Sequence, residues 1–304
     1  MIENRFLLLG LLLASPAWAD GDARSFDISE AKAGKHGILI HDARSRYQAG
    51  TTRIRVLLPE HRLAHTRYPV IYLLPVEARG EHKYGDGLVE AERLDLPNTL
   101  QCIFVSPSFS HLPWYADHPE KRIVRQESYL LKTVIPFIEK TYPVKRGREG
   151  RLLLGFSKSG WGAWSLLLRH PDLFDKAAAW DAPMMMDAPG QYGSGNIFGT
   201  PENFEEYRIT TLLDRKAAEL GGSPRLILLG YGGFRDQHQE VHDLMLNLKI
   251  PHRYKDGPER PHTWEGGWLQ EAAESLRTET TDSKPTTPPL PPSDATGPSA
   301  SPAK

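Results

Sequence analysis

The sequence predicts an α/β fold: a mostly parallel central sheet with helices on both faces and an antiparallel hairpin at its N-terminal edge. Three observations carry this. Near-continuous apolar runs recur, at Val70–Leu74, Leu152–Leu154 and Leu226–Leu229, as strands buried on both faces require. Stretches of helical pattern separate them, and such alternation marks parallel strands joined by crossover helices. A glycine-rich segment after Leu154 reads as a tight strand–turn–helix junction.

In chain order, Gly37–Arg46 and Thr52–Leu58 are separated by a short polar turn and form the expected hairpin. Strands are then expected at Pro69–Leu74, Gln101–Ser106, Arg151–Leu154, Lys176–Trp180, Pro224–Gly230 and His252–Asp256. Helices are expected at Gly87–Arg93, Lys121–Lys140, Ser159–Arg169, Thr211–Leu220, Gln237–Leu248 and Trp268–Arg277.

The ends differ in kind from this middle. Residues 1–19 place Arg5 before the apolar run Phe6–Ala14 and close on Ala17-Trp18-Ala19, the layout of a signal peptide cleaved before Asp20. The run is too short to span a bilayer, which takes about 20 residues. The chain is therefore expected to be exported, to a periplasmic or extracellular location, with no integral membrane segment left after cleavage. From Glu279 to the end, seven of the chain's 25 prolines fall among Ser, Thr and charged residues, with Leu290 almost the sole apolar side chain. Such a segment buries too little surface to offset chain entropy and is expected to be disordered. One domain, residues 20–278, remains. Lys and Arg number 37 against 38 Asp and Glu, a net charge of −1, which argues against nucleic acid as a partner. The single cysteine, Cys102, lies in an apolar run and reads as a buried, inert thiol.

The strongest chemical signal is Gly155-Phe156-Ser157-Lys158-Ser159-Gly160, between a buried strand and a helix. A nucleophile elbow needs this context, because a serine on so sharp a turn tolerates only small residues two positions away on either side. Gly155 and Ser159 meet that demand. The helix start would turn the Lys158 N–H toward a developing oxyanion. A serine needs a base, and a carboxylate to orient the base. The order Ser, acid, His is met by Asp236, after the strand Pro224–Gly230, and His262, after His252–Asp256. Asp181, after the strand Lys176–Trp180, is the competing acid, and chain order favours Asp236. The second oxyanion donor is expected from the N–H of Glu77 or Val76, after the strand Pro69–Leu74. Trp114, Tyr115 and Trp264 lie in loops at the same face and could wall a pocket, while Met184–Met186 would line an acyl pocket or fill core. His238 and His242 share a helix face, but without a third ligand they read as solvated, and neither a metal nor a cofactor is expected.

These pieces, with Tyr68–Leu74, Ile135–Tyr142, Leu168–Phe174 and the His262–Trp268 loop, resemble the "Putative esterase" family of α/β-hydrolases. That family includes esterase D, feruloyl and acetylxylan esterases and the mycolyltransferases. The resemblance spans nearly all of residues 35–275 and implies an α/β-hydrolase fold and a serine esterase carried by Ser157, Asp236 and His262. Its substrate would be a small-molecule or carbohydrate-linked ester. An acyltransferase of the same fold, or a binding module that kept the fold without the chemistry, are the alternatives. Two positions depart from the family pattern: Pro75-Val76 stands where His-Gly is usual, and Ser159 where Gly is usual.

Overall fold

The computed structural model describes residues 26–278; the leader read at 1–19 and the tail read at 279–304 lie outside the described residues. Ten strands form one sheet: β1 (Phe26–Ile28), β2 (Lys32–Ala33), β3 (Leu39–Ser45), β4 (Thr51–Leu57), β5 (Val70–Leu73), β6 (Ile103–Pro107), β7 (Arg151–Phe156), β8 (Lys176–Trp180), β9 (Leu226–Tyr231) and β10 (His252–Glu259). The helices are α1 (Gly87–Arg93), α2 (Leu96–Leu100), α3 (Gln126–Tyr129), α4 (Ile135–Thr141), α5 (Ser157–Arg169), α6 (Pro201–Glu205), α7 (Ile209–Lys216), α8 (Arg235–Asn247) and α9 (Leu269–Arg277). Strand order is β1-β3-β4-β6-β5-β7-β8-β9-β10, with β2 on β3. The pairs from β6 to β10 are parallel, and those among β1–β4 and from β4 to β6 are antiparallel. This is the α/β-hydrolase fold, and the expected hairpin is β3–β4.

Strand alternation divides the core in two. Val70 and Tyr72 of β5, Leu153 of β7 and Leu226 and Leu228 of β9 face one layer, with Trp161, Trp164 and Leu167 of α5. Ile71, Leu73, Leu152, Leu154, Ile227 and Leu229 face the other, with Leu88 and Ala91 of α1 and Leu269, Ala272 and Leu276 of α9. Each of these leucines and isoleucines, fully withdrawn from water, contributes about 2 kcal/mol before entropy. That two-sided demand is why the runs read as continuous.

One expected element is corrected. The helix read over Lys121–Lys140 starts at Gln126 and passes through a π-type turn, Leu130–Val134, before α4. Before it, the backbone N–H of Gln126 donates to Ala116 O and Asp117 bridges to Arg125, so residues 121–125 are held by the neighbouring loop. Cys102 is buried, and burial pushes its thiol up to about 11. No helix among the described residues is long and apolar enough to cross a membrane.

Candidate active site

Ser157 sits where β7 becomes α5, with φ +52°, a left-handed conformation that costs a non-glycine residue about 1–2 kcal/mol. The turn is closed from three sides. A Cβ on Gly155 would lie 2.5 Å from the carbonyl carbon of Ser159, so only glycine fits there. The Ser159 hydroxyl accepts from Phe156 N at 3.1 Å and donates to Phe156 O at 2.8 Å, so the residue that departs from the family pattern staples the elbow. The Ser157 N–H donates to Asp181 O at 3.1 Å, tying the elbow to the adjacent strand.

Asp181 follows β8, the parallel neighbour of β7, and is 1% exposed. Its Oδ2 lies 2.5 Å from Nδ1 of His262. Its Oδ1 accepts from the N–H of Gly233 at 2.8 Å and of Phe234 at 3.0 Å. Burial pushes the Asp181 carboxyl up, but the hydrogen bonds from His262 and from the backbone after β9 outweigh it and hold the carboxyl below its ordinary value. Asp181 is therefore an anion fitted to an imidazole.

This corrects the acid read from the sequence. Asp236 lies in the first turn of α8, exposed, with no hydrogen-bond partner among the described residues. After Tyr231 the chain turns at Gly232-Gly233, and that turn supplies the N–H donors on Asp181 rather than a carboxylate of its own. The helix then carries Asp236 to the outside.

His262 lies in the loop between β10 and α9, half-buried. Its ring packs against Phe156, the residue before the serine, with centroids 5.1 Å apart, and against Tyr84 at 5.5 Å and Phe234 at 6.2 Å. With Nδ1 on the Asp181 carboxylate, Nε2 is left as the proton acceptor. Neither Nε2 nor the Ser157 hydroxyl has a hydrogen-bond partner among the described residues, so both are free and no bond joins the serine to the imidazole.

The backbone N–H groups of Lys158, Val76 and Glu77 likewise have no acceptor among the described residues. Lys158 is the second residue of the 13-residue α5, whose positive end favours an anion. The loop carrying Val76 and Glu77 is anchored by the Tyr115 hydroxyl, which donates to Pro75 O at 2.6 Å. Pro75 has no N–H to give, but its carbonyl fastens the loop.

Tyr115 and Trp114 are core residues, not the pocket walls read from the sequence. Trp114 is fully buried, edge-on to Trp161 at 5.5 Å and to Phe198 at 6.4 Å. Tyr115 is 1% exposed, and its ring lies so close to Gly162 that a Cβ there would be 2.1 Å from it. Trp264 packs on Phe156 and Trp180 and also lines a cavity of about 40 Å³ with Val76, Glu77, Arg55 and Asp86. Met184 and Met186 are buried in the core.

His238 is also corrected. Read as solvated, it is 1% exposed, and its Nε2 accepts the N–H of Ala182, the residue after Asp181, at 2.9 Å. Burial holds its imidazole down at about 4, neutral and able to accept. His242 bonds His252 at 2.7 Å and stacks on Tyr254, so the pair shares no ligand. Among the described residues no three His, Cys, Asp or Glu side chains are placed to hold a metal.

The "Putative esterase" family model matches residues 101–232, the stretch from β6 to the end of β9 that contains the elbow and Asp181. Two Mycobacterium tuberculosis proteins described as esterases are 25% identical over 173 residues. That match takes in 49% of this chain and 36% of each relative, so the chain matches only a part of the length of these proteins. A ferulic acid esterase superposes with TM-score 0.59 at 21% identity, covering 83% of this chain and 96% of its own. An S-formylglutathione hydrolase from Staphylococcus aureus gives 0.60 at 17%, with 83% and 96% covered. One from Agrobacterium tumefaciens gives 0.61 at 14%, with 83% and 98% covered. The likeness to esterases read from the sequence is upheld, and at these identities the solved structures establish the fold.

Proposed function

Starting from that likeness to the "Putative esterase" family, we propose that this chain is a serine esterase using Ser157, His262 and Asp181. The observation that carries the reading is the Asp181–His262 hydrogen bond at 2.5 Å, on a residue whose carbonyl also holds the Ser157 backbone. His262 Nε2 takes the Ser157 proton as the hydroxyl oxygen attacks the ester carbonyl. Asp181 holds the tautomer and stabilises the imidazolium. The carbonyl electrons move onto an oxyanion met by the Lys158 N–H and by that of Val76 or Glu77, each donor worth about 3 kcal/mol. As the tetrahedral intermediate collapses, His262 returns the proton to the departing alcohol. Water, deprotonated by the same nitrogen, then releases the acid and the serine. The solved neighbours include ferulic acid esterases, which supports an aromatic or carbohydrate-linked ester as the substrate class.

A fluorophosphonate probe tests this. Labelling at Ser157 that is lost in Ser157→Ala and much reduced in His262→Ala is expected, with hydrolysis of 4-nitrophenyl acetate above the Ser157→Ala blank. Labelling indifferent to both substitutions would overturn it. From the leader read at 1–19 we also propose that this activity lies outside the cytoplasm; a mature N-terminus other than Asp20 would count against that proposal.

A further inference from the structure

Lys158 follows the candidate nucleophile directly, and its side chain stays beside the site. It is half-buried, with Nζ 5.8 Å from the centre of the Tyr84 ring, the same ring that lies edge-on to His262 at 5.5 Å. A second ammonium, on the exposed Lys83, lies 5.3 Å from that ring. Tyr84 thus carries two cations and touches the base.

Neither ammonium has a carboxylate within 4.0 Å among the described residues. Glu77 is an acid whose charge acts on Lys158, and it is 7% exposed, with Oε2 accepting the Tyr84 N–H at 3.3 Å. Burial lowers the Lys158 ammonium below its ordinary value; Glu77 opposes this and Lys83 adds to it. A partly desolvated cation costs free energy unless an anion meets it, and a lysine needed only for its backbone N–H could be any residue.

We propose that Lys158, with Lys83 at the rim, determines specificity by meeting an anionic group, a carboxylate or its equivalent, on the ester substrate. This rests on the esterase reading and narrows its substrate class to esters carrying a negative charge near the scissile bond. The anion completes the ion pair that Glu77 only partly supplies. It can sit on the acyl or the alcohol side, and Lys83 raises its encounter rate.

Paired esters that differ only in charge test this. On the acyl side, the 4-nitrophenyl monoester of adipic acid is compared with 4-nitrophenyl hexanoate. On the alcohol side, 4-acetoxybenzoate is compared with 4-acetoxybenzamide. The quantity read is the ratio of kcat/KM, anionic over neutral, for the full chain. Lys158→Met is expected to lower that ratio about ten- to a hundredfold on one of the two sides, mainly through KM, the size of a charge-assisted contact. Lys158→Arg should keep most of it, and Lys83→Met should lower it about two- to threefold. In the unaltered protein the same ratio should fall as salt rises from about 10 to about 300 mM, which reads the interaction even if Lys158→Met does not fold. A ratio unchanged by both substitution and salt, with neutral esters still hydrolysed, overturns this inference and leaves the esterase reading standing. No hydrolysis of any ester above the Ser157→Ala blank overturns both.

Discussion

Asp181 and His262, 81 positions apart, are joined by a hydrogen bond of 2.5 Å beyond the carboxyl ends of β8 and β10, parallel strands that flank β9. The carboxylate is buried and already holds two backbone N–H groups from the turn after β9. A carboxylate so held does not swing, and neither does the imidazole it orients.

Asp181→Asn keeps the shape but gives the imidazole the wrong tautomer. Ester kcat should fall about a thousandfold or more with little change in KM. Asp236→Ala removes only an exposed side chain and should leave kcat within about twofold and stability within about 0.5 kcal/mol. Steady-state kinetics on the two variants decide between the acids.

His238 makes stability depend on pH. Its folded imidazole is held down to about 4 from an ordinary 6.5, so between those values the unfolded chain binds the extra proton. Its contribution is fully present above about pH 6.5 and is lost as pH falls through about 4, amounting to about 3 kcal/mol at most. His238→Gln keeps an acceptor for the Ala182 N–H but does not titrate, so urea midpoints at pH 7 and 4.5 should differ less than in the unaltered protein. An equal difference in both proteins would refute the role.

Gly155→Ala places a methyl against the Ser159 backbone. The elbow must open, at about 1–3 kcal/mol, and the strained serine is the first thing to move. Thermal unfolding should show the loss, and fluorophosphonate labelling of the still-folded fraction should slow.

Tyr115→Phe removes the hydroxyl that holds Pro75 O. Stability should drop by about 1–2 kcal/mol, and kcat should fall more than KM changes, because the loop bearing the second oxyanion donor is loosened. A denaturation curve with kinetics on one ester checks both.

The parallel sheet, the hairpin and the elbow were legible because each rests on local physics. Strands buried on both faces must be apolar along their length, as at Leu152–Leu154 and Leu226–Leu229. A serine on a left-handed turn needs Gly155 within two residues. His262 was legible because its loop holds a single histidine between the last strand and the last helix.

The acid was not. Whether Asp181 or Asp236 reaches His262 depends on which strand ends adjoin and on where a helix begins, and neither has a local signature. The Gly232-Gly233 turn was a signal of sorts, since small residues let successive N–H groups converge on one carboxylate. The helical period placed His238 and His242 on one face but could not tell which of the two points at β8 and which at His252. Trp114 and Tyr115 followed the same rule: an aromatic in a loop at the sheet's carboxyl edge is wall or core according to what packs over it, and here Trp161, Phe198 and Gly162 do. By itself the sequence determined the sheet, the turn at Ser157 and the candidate base His262, because sterics and burial act within a few residues. Only the tertiary structure decided which carboxylate meets His262, the His238 contact beside it and the packing of the loop aromatics, because those depend on contacts between segments about 50 to 80 residues apart.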